Sequence, residues 1–262
     1  MTPVLQKTLP FAPWMDPRTW RLPGIVPLTD GAWIAPDDAY AGQMAERDRL
    51  ILAAPDAVHA LLPEGEAAAA ELYALVLEKL ATLPGFRIGP NAVTRPDGVT
   101  VPLDADAPLL TLGRLVQEDL CLMQAAGDQH VLTGAALCFP ASWTLAQKIG
   151  RPLIGIHDPV EGYAGDLAKR VQRLFDAIRP EQPLMRFNAL VYDDPTLHQP
   201  RAEFVARPRP VERLFLRSER QCLLRLPQTG AVLFSIHTVI VRTADLAPDV
   251  RAALDLALPP EG

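Results

Sequence analysis

Residues 211–242 read VERLFLRSERQCLLRLPQTGAVLFSIHTVIVR. Two stretches rich in Leu, Val, Ile and Phe, 212–226 and 230–242, flank Pro227-Gln228-Thr229-Gly230. Proline and glycine around two polar residues form a natural hairpin turn. With a further strand at 184–192, the hairpin implies a mainly antiparallel sheet. The first strand is unusual in its middle, where Arg217-Ser218-Glu219-Arg220-Gln221 interrupts the apolar pattern.

Alternate strand residues point to opposite faces. The odd set holds Phe215, Arg217, Glu219, Gln221 and Leu223; the even set holds Leu216, Ser218, Arg220, Cys222 and Leu224. Arg220 is thus one charge on an otherwise apolar face. A buried guanidinium needs a carboxylate from the protein or from a ligand, unless the strand reaches solvent there. The odd face, with Arg217, Glu219 and Gln221, reads as solvated or covered by N-terminal coil. In PLMRFNALVY (183–192), Arg186 and Asn188 share a face with Leu184 and Leu190. Arginines in neighbouring strands suit bidentate contacts to a dianionic ligand.

Upstream, the reading is helices at 37–54 and 64–85, coil at 86–108, a helix at 111–124 and a strand at 129–139. A short helix at 142–150 follows, capped by Ser142 and stopped by Gly150, then a loop at 154–162. Residues 163–178 form an amphipathic helix with Leu167, Val171, Leu174, Phe175 and Ile178 on one face, and 184–192 a further strand. The expected architecture is α+β: an antiparallel sheet with helices on one face, wrapped by N-terminal helices and coil. It reads as one domain over 1–262, with an N-terminal part (1–110), a core (111–245) and a C-terminal tail (246–262).

A net charge of −6 argues against nucleic-acid binding. No stretch approaches the roughly 20 apolar residues of a membrane helix. The start, MTPVLQKTLPFAPWMD, lacks a basic segment followed by an apolar run, so no secretion leader is expected. Cys121, Cys138 and Cys222 show no metal or disulfide spacing, and a reducing cytoplasm is expected. Phosphate-binding loops, nucleophile elbows and zinc-protease motifs are absent.

Five histidines remain. His59, His130 and His198 read as structural or solvated. His157, in LIGIHDPVEGY, stands in a turn pinned by Gly155 and Pro159, which suits a fixed ligand. His237 lies mid-strand among Leu233, Val239 and Val241, as a core histidine or a pocket liner. One axial histidine in an apolar pocket, with arginines for two carboxylates, would meet the needs of haem; the residues permit that reading without selecting it.

Three blocks carry a resemblance: EDLCLM…HVLTGAALCFPASWTLAQKIGRPLIGIHDPV, then RFN, then LRSERQCLLRLPQTGAVLFSIHT. Together with LPGIVPLTDGAWIAPDDAYAGQMAERDRLI (22–51), they resemble the haem-dependent oxidative N-demethylase alpha-subunit-like family. That resemblance implies a PAS-like fold holding haem b, and a monooxygenase that uses O2 to demethylate a small secondary or methylated amine. Electrons would come from a separate flavin and iron–sulfur reductase. It implies His157 as the axial iron ligand, with Arg186, Arg217, Arg220 and His237 around the haem; Arg220 and Arg186 are preferred for its propionates. Glu219 and Tyr163 would handle protons or position the amine. Two departures stand out: Glu161 where relatives often have proline, and Ala189 where they often have an aromatic, which would reshape a pocket beneath it. The competing expectation is a haem-binding sensor or carrier without turnover.

Overall fold

The computed structural model describes residues 2–29, 31–156 and 166–258. In chain order the elements are α1 (Pro17–Trp20), β1 (Val26–Pro27), α2 (Tyr40–Ala53), α3 (Pro55–Val58), β2 (His59–Leu61), α4 (Glu66–Ala81), β3 (Arg87–Ile88), β4 (Ala92–Thr94) and β5 (Thr100–Pro102). They continue with α5 (Pro108–Gly113), β6 (Asp119–Ala126), β7 (Gln129–Ala136), α6 (Leu153–Ile156), α7 (Asp166–Ala177), β8 (Leu184–Tyr192), β9 (Phe215–Arg225), β10 (Val232–Arg242) and α8 (Pro248–Ala257).

The hairpin is the backbone of the fold. β9 and β10 pair in antiparallel register from Phe215↔Arg242 to Arg225↔Val232. Gly230, at φ +71°, takes the left-handed conformation at the end of the turn. Glu71, on α4, accepts from Gln228 N at 2.6 Å and from Thr229 N at 2.8 Å, so a helix carboxylate fixes the turn to the body. The described strands form a seven-stranded sheet in the order β1-β8-β9-β10-β6-β7-β2, with every pairing antiparallel. Its middle five run 8-9-10-6-7, and the architecture is the expected α+β with a large antiparallel sheet.

Both faces of β9 are covered. On the odd face, Leu223 packs with Cys121, Leu153, Phe175 and Ile178, which brings in α6 and α7. At its other end Phe215 meets Leu50, Ile51, Phe139 and Leu197. On the even face, Leu216 packs with Trp14, Val239 and Leu254, from the N-terminal arm and α8. Farther along the sheet, Leu120, Leu122 and Leu233 bury against α4 and α5. Beyond Ile236 the strand β10 has no β6 partner. Side chains complete that edge: Gln6 and Gln43 donate to Thr238 O, at 3.2 and 2.9 Å, and Gln6 Oε1 accepts from Ile240 N at 2.8 Å.

The structure departs from the sequence reading in places where local pattern is ambiguous. Residues 111–124 split into the end of α5 and a strand, β6. Leu120-Cys121-Leu122-Met123 is a continuous apolar run that suits either state. Gly127-Asp128 decides it by turning β6 back onto β7. The stretch 86–108 holds a small meander, β3-β4-β5, whose strands of two or three residues are too short to show a period. Ser142 caps no helix: it has φ +66°, and only a short 3-10 turn forms at Leu145–Gln147. The tail contains α8.

One buried ion pair ties these layers together. Arg47 Nη1 meets Asp119 Oδ1 at 2.7 Å, with both side chains almost wholly buried. The same carboxylate accepts from Cys138 N at 2.7 Å and Phe139 N at 2.9 Å, so it caps the chain as it leaves β7. Removing one partner of such a pair strands the other charge, at about 3–5 kcal/mol. Asp119→Ala is therefore expected to lower unfolding free energy by that amount, read from the midpoint of a urea titration at unchanged slope.

Candidate functional site

The site is built on the odd face of β9. Arg217, Glu219 and Gln221 are only 3%, 6% and 7% exposed. This corrects the solvated reading. A central strand has no wet face, and what covers this face is the chain after β7 and after β8, together with α6 and α7 and, at the Phe215 end, the N-terminal coil through Val4 and Leu5. Arg217 donates to Phe139 O at 2.5 Å and Leu197 O at 2.9 Å, pinning both covering segments. Its Nε stands 3.5 Å from Glu219 Oε1, while Gln221 Nε2 donates to Glu219 Oε2 at 3.0 Å. Gln221 Oε1 and Thr238 Oγ1 are buried with no hydrogen-bond partner among the described residues. Across the strand, Arg186 opposes Gln221 and Asn188 opposes Glu219, so both join this face.

His198 also belongs here, and no sequence signal marked it. Its Nδ1 lies 2.8 Å from Cys138 O, one residue from the carbonyl that Arg217 holds. A carbonyl can only accept, so Nδ1 donates, and Nε2 is the ring nitrogen left for a metal or a proton.

Arg220 and His237 lie on the opposite face, paired with one another across β9 and β10. The structure does not bring them to the Arg217 cluster. His237 Nδ1 is 2.9 Å from Glu118 Oε1 and Nε2 is 3.1 Å from Asp37 Oδ2, so both nitrogens are committed. Burial opposes its charge, yet the hydrogen bonds and charges of Asp37 and Glu118 outweigh that and raise its pKa to about 9. Burial likewise works against the two carboxylates, and bonding to His237 holds both below their ordinary values. His237 thereby clasps the N-terminal arm to the sheet, and Gln6 and Gln117 complete Asp37 at 2.7 and 2.8 Å. The preference for Arg220 and Arg186 as a pair fails on register: one faces His237, the other Gln221. Arg220 keeps Nε and Nη2 buried without a hydrogen-bond partner among the described residues, and its charge acts on Glu118.

His157, Tyr163 and Glu161 lie outside the described residues. The elements on either side of them, α6 and α7, pack on the odd face through Leu153, Ile156, Phe175 and Ile178. Ala189 is buried on the even face among Trp14, Val191 and Leu216, and lines a cavity of about 270 Å³ at the β8 edge. It does not lie over Glu219. Burial pushes the Cys121 thiol upward and the Cys138 thiol up to about 12, so neither offers a thiolate near neutrality. His130 bonds Gln172 at 2.9 Å, and burial lowers its pKa; burial lowers that of His59 as well. Among the described residues no group of three or more His, Cys, Asp and Glu could hold a metal ion, and no helix is long and apolar enough to cross a membrane.

The family model for the haem-dependent oxidative N-demethylase, alpha subunit-like, matches residues 24–258. The chain belongs to that family. The match covers nearly the whole chain, from β1 through α8, and so includes both faces of the sheet. The family's description names haem as the group it depends on and oxidative N-demethylation as its chemistry. The odd face fits such a group: apolar walls at both ends, a buried carboxylate, unsatisfied buried polar atoms and an arginine at the side.

The His237 clasp carries a pH signature. A folded pKa raised above the ordinary 6.5 adds stability that is full below about 6.5 and is lost as pH rises through about 9. Urea midpoints measured from pH 6 to 10 should fall across that window. His237→Gln should flatten the fall; an equal fall in the variant would assign it elsewhere.

Proposed function

We propose that this chain is the haem-binding, oxygen-using subunit of an oxidative N-demethylase acting on a small methylated amine. The observation that carries the reading is the family match across residues 24–258. The buried polar cluster on the odd face of β9 supports it. The net reaction would be R–NH–CH3 + O2 + 2 e⁻ + 2 H⁺ → R–NH2 + CH2O + H2O. Haem b, when bound, would supply oxygen activation, and a separate flavin and iron–sulfur reductase the electrons. The phrase alpha subunit-like suits a chain that works with partner subunits.

The roles proposed for this chain follow from the placements. His157 is the residue proposed to hold the haem iron, because the flanking α6 and α7 both pack on the odd face. Arg186, opposite Gln221, is the proposed propionate partner. Arg217 is a positioning residue: with both Nη atoms spent on Phe139 and Leu197 carbonyls, it holds the cover closed and orients Glu219. Glu219 would hold the proton delivered to the reacting oxygen, with Tyr163 as its proposed companion. A neutral imidazole donates less electron density than a thiolate, so proton delivery has more to contribute. His198 is the second candidate ligand, on the strength of the Nε2 left when Nδ1 donates to Cys138 O.

An absorption spectrum of protein expressed with a haem supply tests this. A Soret band is expected in the wild type, lost or shifted in His157→Ala and retained in His198→Ala. The reverse pattern would transfer the ligand to His198, and a well-folded protein without a Soret band would overturn the haem reading. Glu219→Gln should keep the band while slowing amine-dependent O2 consumption by about 10²-fold or more. Haem without turnover, when reductase is supplied, would favour the sensor or carrier.

A further inference from the structure

Lysine is seldom fully buried, because its ammonium needs a counter-charge and acceptors for its three N–H groups. Lys148 is only 4% exposed. It stands at the end of the 3-10 turn that follows β7, and its base is fixed. Lys148 N donates to Leu145 O at 2.8 Å, Gly150 N to Leu132 O at 2.8 Å and Leu132 N to Arg151 O at 3.1 Å, which ties the turn to β7. From there Nζ reaches two other segments. It binds Glu203 Oε1 at 2.5 Å, on the long connection between β8 and β9. It also donates to the carbonyl of Ile156, the last residue of α6.

Glu203 is held in place for this contact. Its N–H donates to Gln147 Oε1 at 3.0 Å, and Arg151 Nη1 binds both carboxylate oxygens, at 2.7 and 2.9 Å. The next residue, Phe204, has φ +63°, a left-handed conformation that a β-carbon disfavours, and it is 80% exposed. Such a conformation persists where the surroundings over-determine it, here at the turn that delivers the carboxylate. Arg151 also lies against α6: a β-carbon at Gly155 would meet its Nε at 3.3 Å, so the glycine makes room for the guanidinium.

Arg151 engages both oxygens of Glu203, so a second cation is not needed to hold that segment. What Lys148 adds is the carbonyl of Ile156. The last carbonyls of a helix have no partner within it. This one belongs to the planar peptide unit that joins Ile156 to His157, and holding it fixes the plane from which the next residue starts.

We propose that Lys148, neutralised by Glu203, is a positioning residue that sets how the end of α6 presents His157. The inference rests on the reading of His157 given above. Partners that orient a metal-binding side chain from outside typically change metal affinity about 10- to 100-fold when removed.

The test is haem titration, followed at the Soret band, of wild type, Lys148→Met, His157→Ala and the double variant. Lys148→Met keeps the apolar stem and leaves Glu203 paired with Arg151, so unchanged circular dichroism is expected. It should bind haem about tenfold more weakly or worse, with a shifted Soret band. Glu203→Gln, of nearly the same shape, should act in the same direction. In the His157→Ala background Lys148→Met should add nothing, since its effect runs through that residue. Hydrogen exchange in the haem-free protein reads the hold directly: the Ile156 N–H, bonded to Pro152 O at 2.9 Å, should exchange faster in Lys148→Met. Wild-type haem affinity in Lys148→Met, two losses that simply add, or unchanged exchange would each overturn the proposal alone. No haem binding by the wild type, or wild-type affinity in His157→Ala, would sink the reading of His157 and the proposal with it, so the two failures are separable.

Discussion

The carboxylate of Asp119 is the point on which the rest of the structure depends. It neutralises Arg47 from α2 and caps two backbone N–H groups where the chain leaves β7. The carbonyls of those same two residues face the opposite way, to Arg217 and His198. A chain of polar contacts thus runs from α2 through β6 and the β7 exit to the middle of β9. Each link is buried, so each must be satisfied. The covering segment over Glu219 is held by this chain as much as by apolar packing.

That dependence explains how α2 can belong to the N-terminal wrap and still shape the site. β10 outruns β6, and its bare edge needs donors and acceptors. Gln6 and Gln43 supply them, while Arg47 reaches past the edge to Asp119. β1 and β2, from the first part of the chain, extend the sheet at its two ends. The wrap is therefore part of the sheet's hydrogen bonding, and the site's cover inherits its rigidity.

What the sequence made legible follows from range. The hairpin, α2, α4 and the apolar stripe of α7 are local periodic patterns, and the structure has them within a few residues of the expected bounds. Alternation also sorted Arg217, Glu219 and Gln221 from Arg220 correctly. It could not say that both faces would be buried, because that depends on α8, α6 and the arm arriving from far along the chain. His198 escaped for the same reason: its partner Cys138 is sixty residues away, and HQP in a polar loop carries no local mark. β6 escaped because an apolar run without a period is settled only by its neighbour, β7.

β9 carries charge on both faces, and this makes its register self-correcting. In the observed register Arg217 meets two carbonyls, Glu219 meets Gln221 and Arg217, and Arg220 stands over the Glu118–His237–Asp37 clasp. A slip by one residue would exchange the faces. Glu219 would then join Asp37 and Glu118, three carboxylates around one imidazolium, while Arg220 would take the place beneath the carbonyl-lined cover. Buried like charges oppose that arrangement far more strongly than a mismatch of Leu and Val would. The polar residues that look out of place in an apolar strand thus specify which face becomes the site and which holds the arm.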